Sequence, residues 1–209
     1  MKVVNHELPS IDGKGLMMGR PAYTDDLAER NSLIVKVLRS PHPYAKIVKI
    51  DCSKARALEG VELVLTYEDF ERRPFTRAGQ GYPEPSPHDK FVLDQYVRYV
   101  GDEAVVVAAL DNKIADEALS LIDIEYEVLE PILDFEEAYE NKIVIHPEPE
   151  IHDMFPIGFE PLKNVAAAYH MHVGDVEKSL NESDVVLEQS FYTQAQAHAM
   201  MEPHTVNAR

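Results

Sequence analysis

Val97-Arg-Tyr-Val-Gly-Asp-Glu-Ala-Val-Val-Val-Ala-Ala109 is the stretch whose reading decides the fold. It holds a short strand, a Gly-Asp turn and a second strand that is almost wholly apolar. A run apolar on both faces belongs in the middle of a sheet. Downstream, Asp111 predicts the cap of a helix over 113–121 with Ile114, Ala118 and Leu121 on one face. The strictly alternating Ile122-Asp-Ile-Glu-Tyr-Glu-Val128 then predicts an edge-like strand with one wet face. Upstream, Leu33 to Arg39 is a strand stopped by Ser40-Pro-His-Pro43, whose prolines remove ladder donors. Tyr44 to Ile50 resumes as a second strand after this corner, so His42 is expected as a turn residue and not a ligand. Asp51 caps a helix to Leu58, Gly60 closes it, and Val61 to Thr66 is a third strand. Short connections in this order make an α/β layer.

The 209 residues are 45% hydrophobic, enough to bury a sizeable core in one or two domains. A net charge of -17 argues against nucleic acid or an anionic membrane as partner, since like charges repel at long range. Cys52 is the only cysteine, which excludes an internal disulfide and any Cys-x-x-Cys metal or cluster site within these residues. It reads as a small core residue. No apolar run approaches the ~20 residues of a membrane span, and Met1 to Ser10 lacks a signal-peptide centre. A cytoplasmic protein is the expectation.

Residues 1–16 read as an irregular lead-in. The breaker-rich run from Glu71 to Lys90 is a long loop, mobile or held against something else. Its Thr76-Arg-Ala-Gly-Gln-Gly81 lacks the lysine and leading strand of a nucleotide loop. Leu133 to Tyr139 predicts a short acidic helix, and Pro147, Pro149, Pro156 and Pro161 mark 136–165 as a linker on a surface. His170-Met-His172 places two imidazoles on one face of a predicted strand, too few ligands for zinc.

A strand is also predicted over Asp184 to Tyr192, running into Thr193-Gln-Ala-Gln-Ala-His-Ala-Met-Met-Glu-Pro-His204. Gln196, His198, Glu202 and His204 suit three readings: lining a pocket, holding a metal, or satisfying one another inside a core. Composition favours the last, because buried polar groups are normally hydrogen-bonded.

Several phrases carry a resemblance: Arg39-Ser-Pro-His-Pro-Tyr-Ala-Lys-Ile47, Val97 to Ala108, Ile122 to Pro131 and Gln196-Ala-His-Ala-Met-Met-Glu202. More loosely, Gly19, Ala22, Tyr23 and Asp26 join them. Together they resemble the xanthine dehydrogenase and aldehyde oxidase family, the molybdenum hydroxylases. The resemblance implies an α/β (α+β) hammerhead-type mixed sheet with flanking helices over 17–135. After the linker, 166–209 would be the truncated start, with its first strands, of the molybdopterin-binding domain.

The resemblance gives Gln196 the place of the glutamine whose amide meets a molybdenum oxo group, as both a catalytic and a cofactor-binding residue. Such an amide orients the group without titrating. It assigns His198, Glu202 and His204 to packing and orientation of the loop around Gln196. The implied reaction is hydroxylation of a purine, a related heterocycle or an aldehyde with oxygen from water. Xanthine is favoured only because that label is common in the family. Molybdenum-molybdopterin would be held mostly by residues beyond this chain, with iron-sulfur clusters and FAD on other chains or domains. The expected partners are the remainder of the molybdenum-binding subunit, an iron-sulfur subunit and an FAD subunit. As an excised fragment or split subunit the chain is expected to be inactive alone. The alternative is a stand-alone hammerhead-fold binding module without redox activity.

Overall fold

Where β-branched residues cluster in the sequence, strands form in the computed structural model, which describes residues 4–20, 23–77, 85–200 and 202–208. In chain order come α1 (Gly13–Met17), β1 (Ile34–Arg39), β2 (Ala45–Asp51), α2 (Ser53–Ala57), β3 (Val61–Leu65) and β4 (Tyr96–Val97). They are followed by β5 (Glu103–Ala109), α3 (Asn112–Ser120), β6 (Asp123–Val128) and α4 (Val176–Asn181). Tighter 3-10 turns lie at Thr24–Leu27, Tyr67–Asp69, Phe135–Glu137 and Pro161–Lys163. The lead-in thus contains a helical turn, and the acidic helix expected at 133–139 is a single 3-10 turn. Two compact units result: Leu33–Val176, and Met1–Ser32 together with Glu177–Arg209.

Within Leu33–Val176 the strands expected to share one mixed sheet divide between two small sheets, β1-β5-β3 and β4-β2-β6. Every strand pairing in them is antiparallel. The corner after β1 carries the chain from one sheet to the other. Alternation along a strand specifies its faces but not its neighbour, so this division is invisible in the pattern. As its apolar run requires, β5 is the central strand of the first sheet. β6 pairs only with β2 and keeps Asp123, Glu125 and Glu127 exposed.

One face of β1-β5-β3 packs with α2, α3 and the second sheet around Ala45, Ile47, Val64, Val105, Val107, Ala118 and Cys52. Its other face is also aliphatic: register places Val35, Val37, Val106, Ala108, Leu63 and Leu65 side by side. Of these Val35 and Leu63 are exposed. Cys52 is 4% exposed, and burial pushes its thiol above the ordinary range, so it is a core residue and not a nucleophile.

Two of the predicted helix signals hold, whereas Asp51 ends β2 and Cys52 takes the N-cap position of α2 without a side-chain cap bond. Asp111 accepts the Ile114 N–H at 2.8 Å. Gly60 has φ +87°, and a Cβ there would lie 2.7 Å from Ile114 Cδ1, so glycine alone fits between α2 and β3.

The turn into β5 is built on Asp102, which is 2% exposed. Its carboxylate accepts the Arg98 N–H at 2.8 Å, the Glu103 N–H at 3.1 Å and the Lys90 ammonium. Its carbonyl accepts the Ser40 N–H at 2.8 Å, while the Gly101 N–H, at φ +95°, returns to the Ser40 carbonyl at 2.8 Å. Beside it Glu103 meets Arg77 at 2.5 Å, Arg39 at 3.1 Å and Lys90 at 3.3 Å.

The proline-rich segment is fastened to this unit. Asn164, at φ +59°, accepts the Ile145 N–H at 2.9 Å and donates to the Ala138 and Ile143 carbonyls at 2.9 and 2.8 Å. Arg98 donates to the Ile145 carbonyl at 3.1 Å, to Asp94 at 2.7 Å and to Glu148. His88 and His152 form an antiparallel bridge with their rings stacked 4.9 Å apart. The ends of the long 71–90 loop are held by a Phe75–Lys90 bridge and by Arg72 on Asp94. Gly79, Gly81 and Pro83 lie outside the described residues.

Among the described residues no strand follows Val128, so neither the strand expected at 184–192 nor that at His170–His172 is formed. Val185, Leu187 and Phe191 are 72%, 90% and 84% exposed. A strand requires a hydrogen-bonding neighbour, and strand-like composition alone does not supply one.

The Glu103 environment generates a pH prediction. Burial opposes its charge, but Lys90 and Arg77 prevail and hold the carboxyl at about 2. A carboxyl depressed on folding contributes stability above its unfolded value of about 4.3, and that contribution is lost as pH falls towards 2. Glu103→Gln is therefore expected to flatten the stability profile between about pH 4.5 and 2 in chemical denaturation. Parallel profiles for the two proteins would contradict this.

Candidate functional site

Gln196 to His204 lies in the unit formed by Met1–Ser32 and Glu177–Arg209. Its described residues are exposed and form neither helix nor strand, with a reversal at Ala199, whose φ is +47°. A residue with a Cβ pays for the left-handed region, on the order of 1–2 kcal/mol. Such a conformation persists where flanking contacts fix it.

C-terminal to Ala199 the segment is held from the other end of the chain. The Glu202 carboxylate accepts the Thr24 N–H at 2.9 Å, and the Asn207 side-chain amide donates to the Thr24 carbonyl at 2.5 Å. The turn so gripped is internally braced, because Asp26 accepts the Tyr23 N–H at 3.0 Å. Pro203 restricts Glu202 to extended backbone, which stiffens the grip. Between the two segments lies a cavity of about 680 Å³ lined by Tyr23, Asp25, Asp26, Met200, Glu202 and Thr205.

Of the four residues singled out in the sequence, His198, Glu202 and His204 line a second depression of about 410 Å³. Gln196 stands apart from both cavities, with its carboxamide exposed. The expected mutual satisfaction inside a core does not occur, since all four are exposed and Glu202 is bonded to Thr24. Among the described residues no three His, Cys, Asp or Glu side chains converge as a metal-ligand set. His170 and His172 are exposed.

His42 packs edge-on to Tyr126 at 5.0 Å, and its N–H donates to Ser40 Oγ at 3.0 Å, as a turn residue should. Thr24 and Asn207 gave no signal in the sequence: their contact spans 183 positions. Asp26 did have one, in the loose motif with Tyr23, while Ala22 of that motif lies outside the described residues. No described helix is long and apolar enough to cross a membrane.

Comparison with known proteins adds two family matches. Residues 18–130 match the a/b hammerhead domain of aldehyde oxidase and xanthine dehydrogenase, and residues 159–209 match the molybdopterin cofactor-binding domain. A probable hypoxanthine oxidase of Escherichia coli (strain K12) is 37% identical across 94% of this chain and 23% of its own length. The nicotinate dehydrogenase large molybdopterin subunit of Eubacterium barkeri is 32% identical across 97% of this chain and 43% of its own. Among solved structures, quinoline 2-oxidoreductase from Pseudomonas putida 86 aligns with a TM-score of 0.52 and 34% identity over 61% of this chain and 16% of that one. The chain therefore spans about a quarter to under half of the curated relatives it matches.

The backbone at Ala199 makes its own prediction. Ala199→Gly is expected to raise stability by up to ~1 kcal/mol, and Ala199→Val to lower it, because only glycine enters the left-handed region freely. Denaturant unfolding of the two variants checks the order.

Proposed function

The chain belongs to the aldehyde oxidase and xanthine dehydrogenase family, and on that premise we propose that it forms the hammerhead domain and the opening of the molybdenum-cofactor domain in a molybdenum hydroxylase. The observation that carries the reading is the succession of both family matches within one chain, with Gln196 exposed in the second. Its residues suit the cofactor in one respect. Gln196 presents an exposed neutral amide, which can donate a hydrogen bond to an electron-rich oxygen without losing a proton.

When bound, the cofactor supplies the two-electron chemistry that hydroxylates a substrate carbon with oxygen from water. Gln196 would hold and orient that group by donating a hydrogen bond from its side-chain amide to one of its oxygen atoms. The hammerhead unit contributes a pre-formed body with its own core.

The proposed substrate is a purine or related heterocycle, supported by the hypoxanthine and nicotinate names of the two relatives. Electrons are proposed to leave for iron-sulfur and flavin centres on partner subunits or further domains. A second reading, a stand-alone binding module without redox activity, draws on the self-contained core of Leu33–Val176.

Metal and pterin analysis separates the two. Molybdenum is expected when the chain is produced joined to the remainder of the molybdenum-binding subunit and not when it is produced alone. A folded joined protein without molybdenum would favour the binding module. In the molybdenum-loaded protein Gln196→Ala is expected to slow turnover by ~100-fold or more while bound molybdenum is retained. Unchanged turnover would remove Gln196 from the mechanism.

A further inference from the structure

Thr24 is held at both of its backbone polar groups by residues 178 and 183 positions away. The N–H belongs to the peptide plane before it and the carbonyl to the plane after it. Glu202 on one and Asn207 on the other therefore fix both planes at once. Three residues before Glu202 stands Ala199 in the left-handed region, and three before that stands Gln196. Ala199 thus stands in the chain between the residue that grips Thr24 and the exposed Gln196 amide.

We propose that Glu202 and Asn207 are positioning residues, clamping Thr24 so that the Tyr23–Leu27 turn holds the Ala199 reversal and thereby aims the Gln196 amide. The proposal rests on the assignment of Gln196 as the donor to the metal's oxo group. It gives the N-terminal turn a share in the reaction geometry although the turn supplies no group to the reacting atoms. Glu202 acts here as a hydrogen-bond acceptor and not through its charge. Its neutral isostere, whose amide oxygen still accepts the Thr24 N–H, therefore retains the function. Asn207 acts as a donor, a role its acid isostere loses.

The test uses the complete molybdenum-loaded protein. Glu202→Ala and Asn207→Ala are expected to retain molybdenum, to speed hydrogen exchange in residues 23–28, and to lower kcat by ~10- to 100-fold. KM is expected to stay within about twofold, as for an interaction that matters only in the transition state. Glu202→Gln should recover most of kcat. Should the alanine variants fail to fold, Asn207→Asp removes the donor at constant shape and is expected to behave as Asn207→Ala.

Wild-type kcat in the alanine variants despite faster exchange would overturn the proposal, as would equal losses in Glu202→Ala and Glu202→Gln. Those outcomes leave the Gln196 assignment standing if Gln196→Ala is slow. If Gln196→Ala turns over normally, the assignment and the clamp's catalytic role fall together.

Discussion

A carboxylate taken out of water must be repaid in hydrogen bonds and opposite charge, and the hammerhead unit is arranged around that demand at Asp102. Two backbone N–H groups and the Lys90 ammonium converge on it. Each donor comes from a different part of the unit: Arg98 follows β4 in one sheet, Glu103 begins β5 in the other, and Lys90 ends the long loop. Satisfying one buried charge thus brings two sheets and a loop to a common point. The Ser40 and Gly101 bonds add the corner between β1 and β2 to the same knot.

From that knot the chain is secured outward by side chains that each serve several masters. Arg98 offers its backbone to Asp102 and its guanidinium to Asp94, Ile145 and Glu148. The proline-rich segment is thereby written onto the sheet unit without a ladder of its own, and Asn164 supplies the bonds that its prolines cannot. Polar networks of this kind are specific because a half-made one is worse than none. Among its described residues the unit of Met1–Ser32 and Glu177–Arg209 has no comparable core: α1 and α4 contain no buried residue, and isolated bonds such as those at Thr24 carry its order.

What could be read in advance follows the same division. Local chemistry was legible: the Asp111 cap, the Gly60 stop, the Ser40-Pro-His-Pro corner and the two-faced apolarity of β5 all act within a few residues. Partner choice was not. Nothing in the alternation of Tyr44 to Ile50 says that it joins β4 and β6 in place of β1. The run 184–192 was strand-like in composition, yet no neighbour among the described residues pairs with it. In the candidate site Gln196, His198, Glu202 and His204 were identifiable as polar residues in apolar company. The partner of Glu202 lies at the opposite end of the chain and is a backbone amide, which any residue type would provide.

The two-faced β5 has one more effect, on how faithfully the sheet assembles. Slipping a strand by one position exchanges its faces, and where one face is polar that exchange is punished by burial. β5 itself is aliphatic on both faces, so Val106 and Val107 could trade places with little hydrophobic penalty. The correct alignment has to be encoded elsewhere. It falls to the irregularities between Leu38 and Arg39 and between Val61 and Leu63, each of which occurs once along its strand and so admits one setting. These two bulges are the keying of the sheet: they let a strand that looks alike from either side be threaded in only one way.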